Sequence, residues 1–274
     1  ELLKPVYHID KIHAILLTGG SAFGLDACGG VMQYLEEKNI GYDVGITKVP
    51  AVPGAVLFDL GLGDFRVRPD REMGYQACVS AHGGTVEEGN VGAGTGASVG
   101  KIFGMDYAMK SGLGSWAVSI EGGITVGAIV AVNALGDVFE PYTDKIIAGA
   151  FDRKDKSFMD AVGMIKQGKL PPLPQNSGAR SNTTLAVVAT NAHLTKEGAT
   201  KVAQMAHDGL ARTISPVHTM HDGDTVFALS LGDKSCDISM VGAIAAEVLA
   251  LAVTRAVKLS HGAGGLPSYK DINI

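Results

Sequence analysis

Asn182-Thr183-Thr184-Leu185-Ala186-Val187-Val188-Ala189 opens polar and continues as an apolar run of strand length. It leaves a polar stretch rich in Pro and Gly, so the strand emerges from what reads as an exposed segment. The ordinary reading of Thr183-Thr184 is a β-branched pair at a strand start. The chemical reading is a concealed nucleophile. Scission of the Asn182–Thr183 bond would free the Thr183 α-amine as a general base for its own hydroxyl. Those residues alone favour the ordinary reading, so the surrounding sequence has to decide.

Downstream, the pattern predicts a helix over Thr195–Arg212, a strand over Thr225–Leu231 and a helix over Asp237–Leu259. Upstream, His13–Thr18 reads as a short strand and Gly24–Lys38 as a helix with Leu25, Cys28, Val31, Met32 and Leu35 on one face. Ala51–Leu60 reads as a strand, Arg71–His82 as a helix and Glu87–Gly100 as a glycine-rich loop. Trp116–Ile120 and Ile124–Val132 form a hairpin across Glu121-Gly122-Gly123. Asp144–Asn182 is polar, with a short helix over Ser157–Gln167. The remainder, including Lys169-Leu-Pro-Pro-Leu-Pro and Asn176-Ser-Gly, is the candidate exposed segment. Apolar helices flank strands in both halves, which predicts a layered α/β arrangement with two packed sheets and helices outside.

The composition narrows the function classes. At 274 residues, 46% hydrophobic and 19% charged, the chain is long enough and apolar enough for a substantial core. A net charge of −5, without Lys/Arg runs interleaved with aromatics, argues against nucleic-acid partners. The 37 glycines, about twice the usual share, imply tight turns and close backbone approaches. Cys28, Cys78 and Cys236 are far apart, sit in apolar helical contexts and match no metal-ligand spacing, which points to a reducing, cytoplasmic compartment. Ile238–Val257 is apolar but carries Glu247 and Arg255, so it reads as a core helix and not a membrane span. The chain begins at Glu1 almost directly before a strand, which reads as an N-terminally truncated sequence.

Several motifs fail on spacing. Gly92-Ala-Gly94-Thr-Gly96 is not G-x-G-x-x-G, Gly100-Lys101 lacks the Ser/Thr of a phosphate loop, and Gly19-Gly20-Ser21-Ala22-Phe23-Gly24 is not a nucleophile elbow. The histidines form no H-E-x-x-H pair. His218 and His221, three apart, are set aside in favour of their acidic neighbours, and neither metal nor cofactor is expected. What survives is His221-Asp222-Gly223-Asp224-Thr225. Its two carboxylates are either ordinary turn residues or a pair that shifts each other's protonation and orients a hydroxyl or an amine. Asn133, ending a hairpin strand, is either a turn cap or an oxyanion donor. Lys101 is either a surface lysine or a cation aimed at that oxyanion.

Together these segments resemble a family. Leu16-Leu-Thr-Gly-Gly-Ser-Ala-Phe-Gly-Leu-Asp26, Val91–Ala97, Asn182–Ala192 and His221–Leu229 are similar to the self-cleaving L-aminopeptidase/D-esterase family. Its relatives include β-aminopeptidases, a pantetheine hydrolase and the nylon-oligomer (6-aminohexanoate) hydrolases. The resemblance runs to Gly262-Ala-Gly-Gly-Leu-Pro-Ser-Tyr near the end. It implies one domain over 1–274 with a four-layer αββα sandwich of the Ntn-hydrolase kind, cut into fragments 1–182 and 183–274. It further implies Thr183 as nucleophile, Asn182 before the cut, Asp222 and Asp224 as the acidic pair, Asn133 as the oxyanion amide and Lys101 as a catalytic lysine. Phe58 and the Gly94-Thr95-Gly96 turn become the candidate substrate pocket. Phe58 stands where the nylon-hydrolase branch has Tyr, so a hydroxyl is lost there. The implied activity is hydrolysis of amides of small peptides or oligoamides, in a homotetramer. Two alternatives remain: an acyltransferase like the ornithine acetyltransferases, in which an amine captures the acyl-threonine, and a non-catalytic α/β protein binding a small ligand at its glycine loop.

Overall fold

The apolar run after Asn182 becomes one of the two interior strands of the main sheet. The computed structural model describes residues 2–169 and 182–272. The part of the candidate exposed segment from Leu170 to Ser181 lies outside them. The elements that position the site are β1 (Leu16–Thr18), α1 (Ala27–Glu37), β2 (Gly54–Val56), α2 (Arg71–Ser80), β3 (Leu113–Ser119) and β4 (Thr125–Asn133). They continue with α3 (Ala161–Lys166), β5 (Thr183–Ala192), α4 (Lys196–Ala211), β6 (Thr225–Lys234) and α5 (Ile238–Lys258).

The main sheet runs β6-β5-β4-β3. The β3–β4 hairpin turns at Glu121–Gly123 as expected from the sequence, β5 pairs antiparallel to β4, and α4 carries the chain back so that β6 lies parallel to β5. Alternation along the strands divides two cores. Val126, Val130, Val132, Ala186 and Val188 face α4 and α5, where they meet Val241, Ala245, Val248, Leu249, Ala252 and Val253. Leu113, Ala131 and Leu185 face the other way, onto Leu57, Ala93, Leu17 and Ala55. Thr195 caps α4 through Gly198 N–H and Asp237 caps α5 through Met240 N–H, each worth about 1 kcal/mol. By length and composition α5 could cross a membrane; here it is the central core helix, packed on α4, β3 and β4.

The second layer is the parallel pair β1–β2, with α1 and α2 packed together outside it. The order helix, sheet, sheet, helix is therefore the αββα sandwich. The second sheet is narrower than the sequence suggests. Of Ala51–Leu60 only Gly54–Val56 forms ladder, because Pro53 has no N–H to donate and the chain turns after Leu57, where Leu62 N–H bonds Asp59 O.

Three local readings need correction. The buried face of α1 is Ala27, Gly30, Val31 and Leu35, while Leu25 and Met32 are exposed, because Ser21–Asp26 is a 3₁₀ turn that shifts the phase of the helix. Cys236 lies in the loop before α5, and all three thiols are only partly buried. The helix expected over Ser157–Gln167 starts later, at Ala161, because Asp160 caps it by accepting from Gly163 N–H.

Candidate active site

Register brings the sequence-predicted residues together at one end of the main sheet. Thr183 pairs directly with Asn133, so the two side chains lie on the same face of the sheet. Both are buried, Thr183 at 4% exposure and Asn133 at 0%. Asn133 is held on three sides. Its Oδ1 accepts from Lys101 Nζ at 2.7 Å and from Ser98 N–H at 3.1 Å, which forces its Nδ2 the other way, onto Phe58 O at 2.9 Å. One amide N–H is thereby committed, and the group carries a second. The Phe58 position thus contributes a main-chain carbonyl where its ring offers no hydrogen bond.

Lys101 is not a surface lysine. It is 7% exposed, and its Nζ also reaches Asn133 O at 3.1 Å. Burial brings its ammonium down to about 7, against the opposing pull of Asp222 and Asp59. Its direction is set by Gly100, whose φ of +71° and close packing on Gly149 leave no room for a side chain. A Cβ there would sit 1.9 Å from the Gly149 carbonyl carbon. Gly100→Ala is expected to lower unfolding free energy by about 2–4 kcal/mol, combining left-handed strain with overpacking. Urea denaturation measures it, and an unchanged midpoint would contradict this account of the loop.

The Asp222-Gly223-Asp224 segment runs beside Asn182–Thr184. Asn182 N–H donates to His221 O and Gly223 N–H donates to Asn182 O, both at 2.8 Å. Thr183 Oγ1 donates to the same Asn182 oxygen at 2.6 Å. With a C=O bond of about 1.23 Å, Oγ1 lies no more than ~3.8 Å from the carbonyl carbon that self-cleavage would attack. Gly223 N–H is thus placed to donate to any oxyanion formed on Asn182, a placement the sequence reading did not anticipate. Its glycine identity follows from the contact: a Cβ would lie 3.0 Å from Thr183 Oγ1.

The two carboxylates differ. Asp222 Oδ2 accepts from Thr219 N–H at 2.9 Å and Thr219 Oγ1 at 2.6 Å, closing its own turn. Asp224 Oδ1 accepts from Thr184 N–H at 2.7 Å, and its Oδ2 meets His218 Nδ1 at 2.8 Å. Burial pushes the Asp224 carboxyl up and the Asp222 charge adds to this, while the Thr184 and His218 bonds oppose it. Because successive strand amides point to opposite sides, Thr184 N–H faces β6 and the Thr183 nitrogen faces Asn133 O, beside Lys101 Nζ.

The candidate pocket divides. Gly94 packs on the main chain of Gly89 and Leu113, and its carbonyl helps hold the fully buried Lys110 ammonium, which burial lowers to about 8. Thr95 is exposed. Gly96 lies against the carboxylate of Asp59, whose Oδ1 accepts from Gly20 N–H at 2.7 Å. Sequence reasoning passed over Asp59, and it passed over His218 and His207, which line an open cleft of about 450 Å³ with Gln204, Asp222 and Asp224.

Residues 1–265 match the pattern of peptidase family S58. The chain belongs to this family. It is 41% identical to an uncharacterized aminopeptidase of Mycobacterium leprae (strain TN), over 98% of this chain and 78% of that one. It is 32% identical to the 6-aminohexanoate-oligomer endohydrolase of Kocuria sp. (strain KY2), over 91% and 72% of the two chains. The fold matches the L-aminopeptidase D-Ala-esterase/amidase of Ochrobactrum anthropi, described as a variant of the Ntn-hydrolase fold. There the TM-score is 0.62 and the identity 20%, over 90% of this chain and 66% of that one. Membership makes this S58 chain a hydrolase acting on amide bonds, and the non-catalytic reading falls away.

Proposed function

We propose that the chain is made as one inactive polypeptide, cuts itself between Asn182 and Thr183, and then hydrolyses amides of small peptides or oligoamides through an ester on Thr183 Oγ. The observation that carries this reading is the convergence of Thr183 Oγ1 and Gly223 N–H on the Asn182 carbonyl. Thr183 Oγ attacks the Asn182 carbonyl carbon. The oxyanion forms against Gly223 N–H, the C–N bond breaks, and the Thr183 nitrogen takes the hydroxyl proton. Water then hydrolyses the ester, releasing an Asn182 carboxylate and a free Thr183 hydroxyl and α-amine. Burial of Thr183 supports an inactive precursor, since a substrate cannot reach it before the cut.

In turnover, the α-amine removes the hydroxyl proton as Oγ attacks a substrate amide. An unperturbed α-amine has a pKa of about 8. When protonated, Lys101 Nζ, which bonds the Asn133 carbonyl, disfavours a second positive charge beside it and so favours the unprotonated amine. The free N–H of Asn133 stabilises the substrate oxyanion, and Lys101 serves by fixing the Asn133 amide. Asp224 anchors the strand end through Thr184, and Asp222 braces the turn that carries Gly223. The leaving amine takes the proton, and water resolves the acyl-threonine. The names of the relatives motivate the substrate class. We assign the activity to a homotetramer in the cytoplasm, with each 1–182 fragment retained by its 183–274 partner.

Denaturing mass spectrometry tests the reading: fragments 1–182 and 183–274 are expected, and an intact chain that hydrolyses amides would overturn it. Gly223→Ala is expected to slow self-cleavage at least ~10-fold, because the added methyl crowds Oγ1 away from the carbonyl. A time course of the uncut band measures this, and a wild-type rate would remove Gly223 from the cut.

A further inference from the structure

The cleft beside the acidic pair contains two imidazoles that take no step in the reaction above. We propose that His218, braced by His207, is a positioning residue that keeps the Asp224 carboxylate ionised and aimed at Thr184 N–H, and so fixes the strand end carrying the nucleophile. The inference rests on the function proposed above and extends it by two residues.

Three contacts make a continuous chain. Thr184 N–H donates to Asp224 Oδ1 at 2.7 Å, Asp224 Oδ2 meets His218 Nδ1 at 2.8 Å, and His218 Nε2 meets His207 Nδ1 at 3.3 Å. The imidazole rings pack edge to face, with centroids 4.9 Å apart. The chain crosses three elements: His207 on α4, His218 and Asp224 in the loop before β6, and Thr184 at the start of β5. The Asp224 side chain is 4% exposed and that of His218 is 37% exposed, so the relay leads from the buried strand end to the open cleft.

A carboxylate that buried needs a donor or a counter-charge on each oxygen. Thr184 N–H supplies one oxygen and His218 the other. While Asp224 is ionised, His218 Nδ1–H donates to it whether the ring is neutral or protonated. The groups facing this relay are Asp222 on the same turn and Asp208 and Gln204 on α4. Burial and Asp222 oppose ionisation of Asp224, and the Thr184 N–H bond and the His218 contact together oppose them, His218 being the side chain of these two that can be exchanged. His207 is held below the usual imidazole range by burial and by the nearby His218, so it braces His218 as a neutral ring. His218 adopts a φ of +55°, an uncommon conformation for a side chain of this size, and it aims the ring inward at Asp224.

The test uses the full chain with His218→Leu and His218→Asn. Steady-state kinetics on the processed protein is combined with a ¹³C-carboxyl NMR titration of Asp224. His218→Leu is expected to lower kcat ~10–100-fold with KM within about twofold, as for loss of a charge-assisted hydrogen bond. The acid limb of the kcat profile should move to higher pH, and the Asp224 titration should move with it. His218→Asn, which keeps a donor, should recover most of the rate. Unchanged kcat and an unchanged Asp224 titration in the Leu variant would overturn the proposal. Equal impairment of both variants would also overturn it, since that marks a packing role. If wild-type protein hydrolyses no amide, the function proposed above fails, and the carboxyl titration still decides this inference.

Discussion

A Thr183→Ala protein is expected to remain a single uncut polypeptide and to lose essentially all amide hydrolysis, at least ~10³-fold. Removing a covalent nucleophile leaves only the residual rate that binding and the oxyanion donors supply. Two readouts answer together, the denaturing mass spectrum and turnover of a chromogenic amide. The substitution removes one hydroxyl and one methyl group from a buried position. Asn133 stays opposite, and the Gly223 and Asp224 contacts are to main chain, so the fold should persist. A variant that still cuts at residue 182, or an uncut variant that hydrolyses amides at the wild-type rate, would take Thr183 out of the mechanism.

Asn133→Ala should have the next largest effect. One oxyanion donor is typically worth ~10²–10³ in rate. Here the loss reaches further, because the Asn133 side chain is also the acceptor for Lys101 Nζ and Ser98 N–H and the donor to Phe58 O. Ser98 N–H and the Phe58 carbonyl would lose this partner, each costing about 1–3 kcal/mol, and Lys101 Nζ would keep only its bond to the Asn133 main-chain carbonyl. The expected result is a fall in kcat of ~10²–10³-fold together with a lower urea midpoint. Asn133→Asp separates the two effects, since a carboxylate still accepts from Lys101 but cannot donate to an oxyanion. It should keep more of the stability and recover none of the rate. Equal activity in wild type and both variants would exclude Asn133 as the oxyanion donor.

What the sequence made legible follows the spacing of the contacts. Thr183 and the Asp222-Gly223-Asp224 turn could be singled out because each is a contiguous motif at the mouth of a strand. The layered fold was legible because β5, α4, β6 and α5 each keep their own period. Asn133 and Lys101 each carry two local readings, and only the family resemblance assigns them roles. Their partnership spans 32 residues and depends on Gly100 turning the chain back, which no local pattern encodes. His207 is a helix residue with no motif around it, so no local pattern singles it out, and His218 reads in sequence only beside His221 as a metal pair. A signal was present: His218 stands six residues before Asp224, across a turn. Asp59 was hidden differently, since its neighbours are the backbones of Gly19 and Gly96 from two distant segments. The narrow second sheet shows the converse, an apolar run that looked like a long strand until Pro53 removed a donor.

The sheet order β6-β5-β4-β3 has a consequence for a molecule cut before Thr183. The scission would fall at the tip of an interior strand, so the two pieces would share one ladder: β4 from the first flanks β5 from the second, and α5 from the second roofs β3 and β4 of the first. Neither piece then owns a complete core. Such a dimer of unequal halves should melt in one cooperative step, resist separation by dilution, and fail to re-form from purified halves as readily as it forms from the continuous chain. The peptide bond would serve as a scaffold for assembly, dispensable once the strands have interleaved.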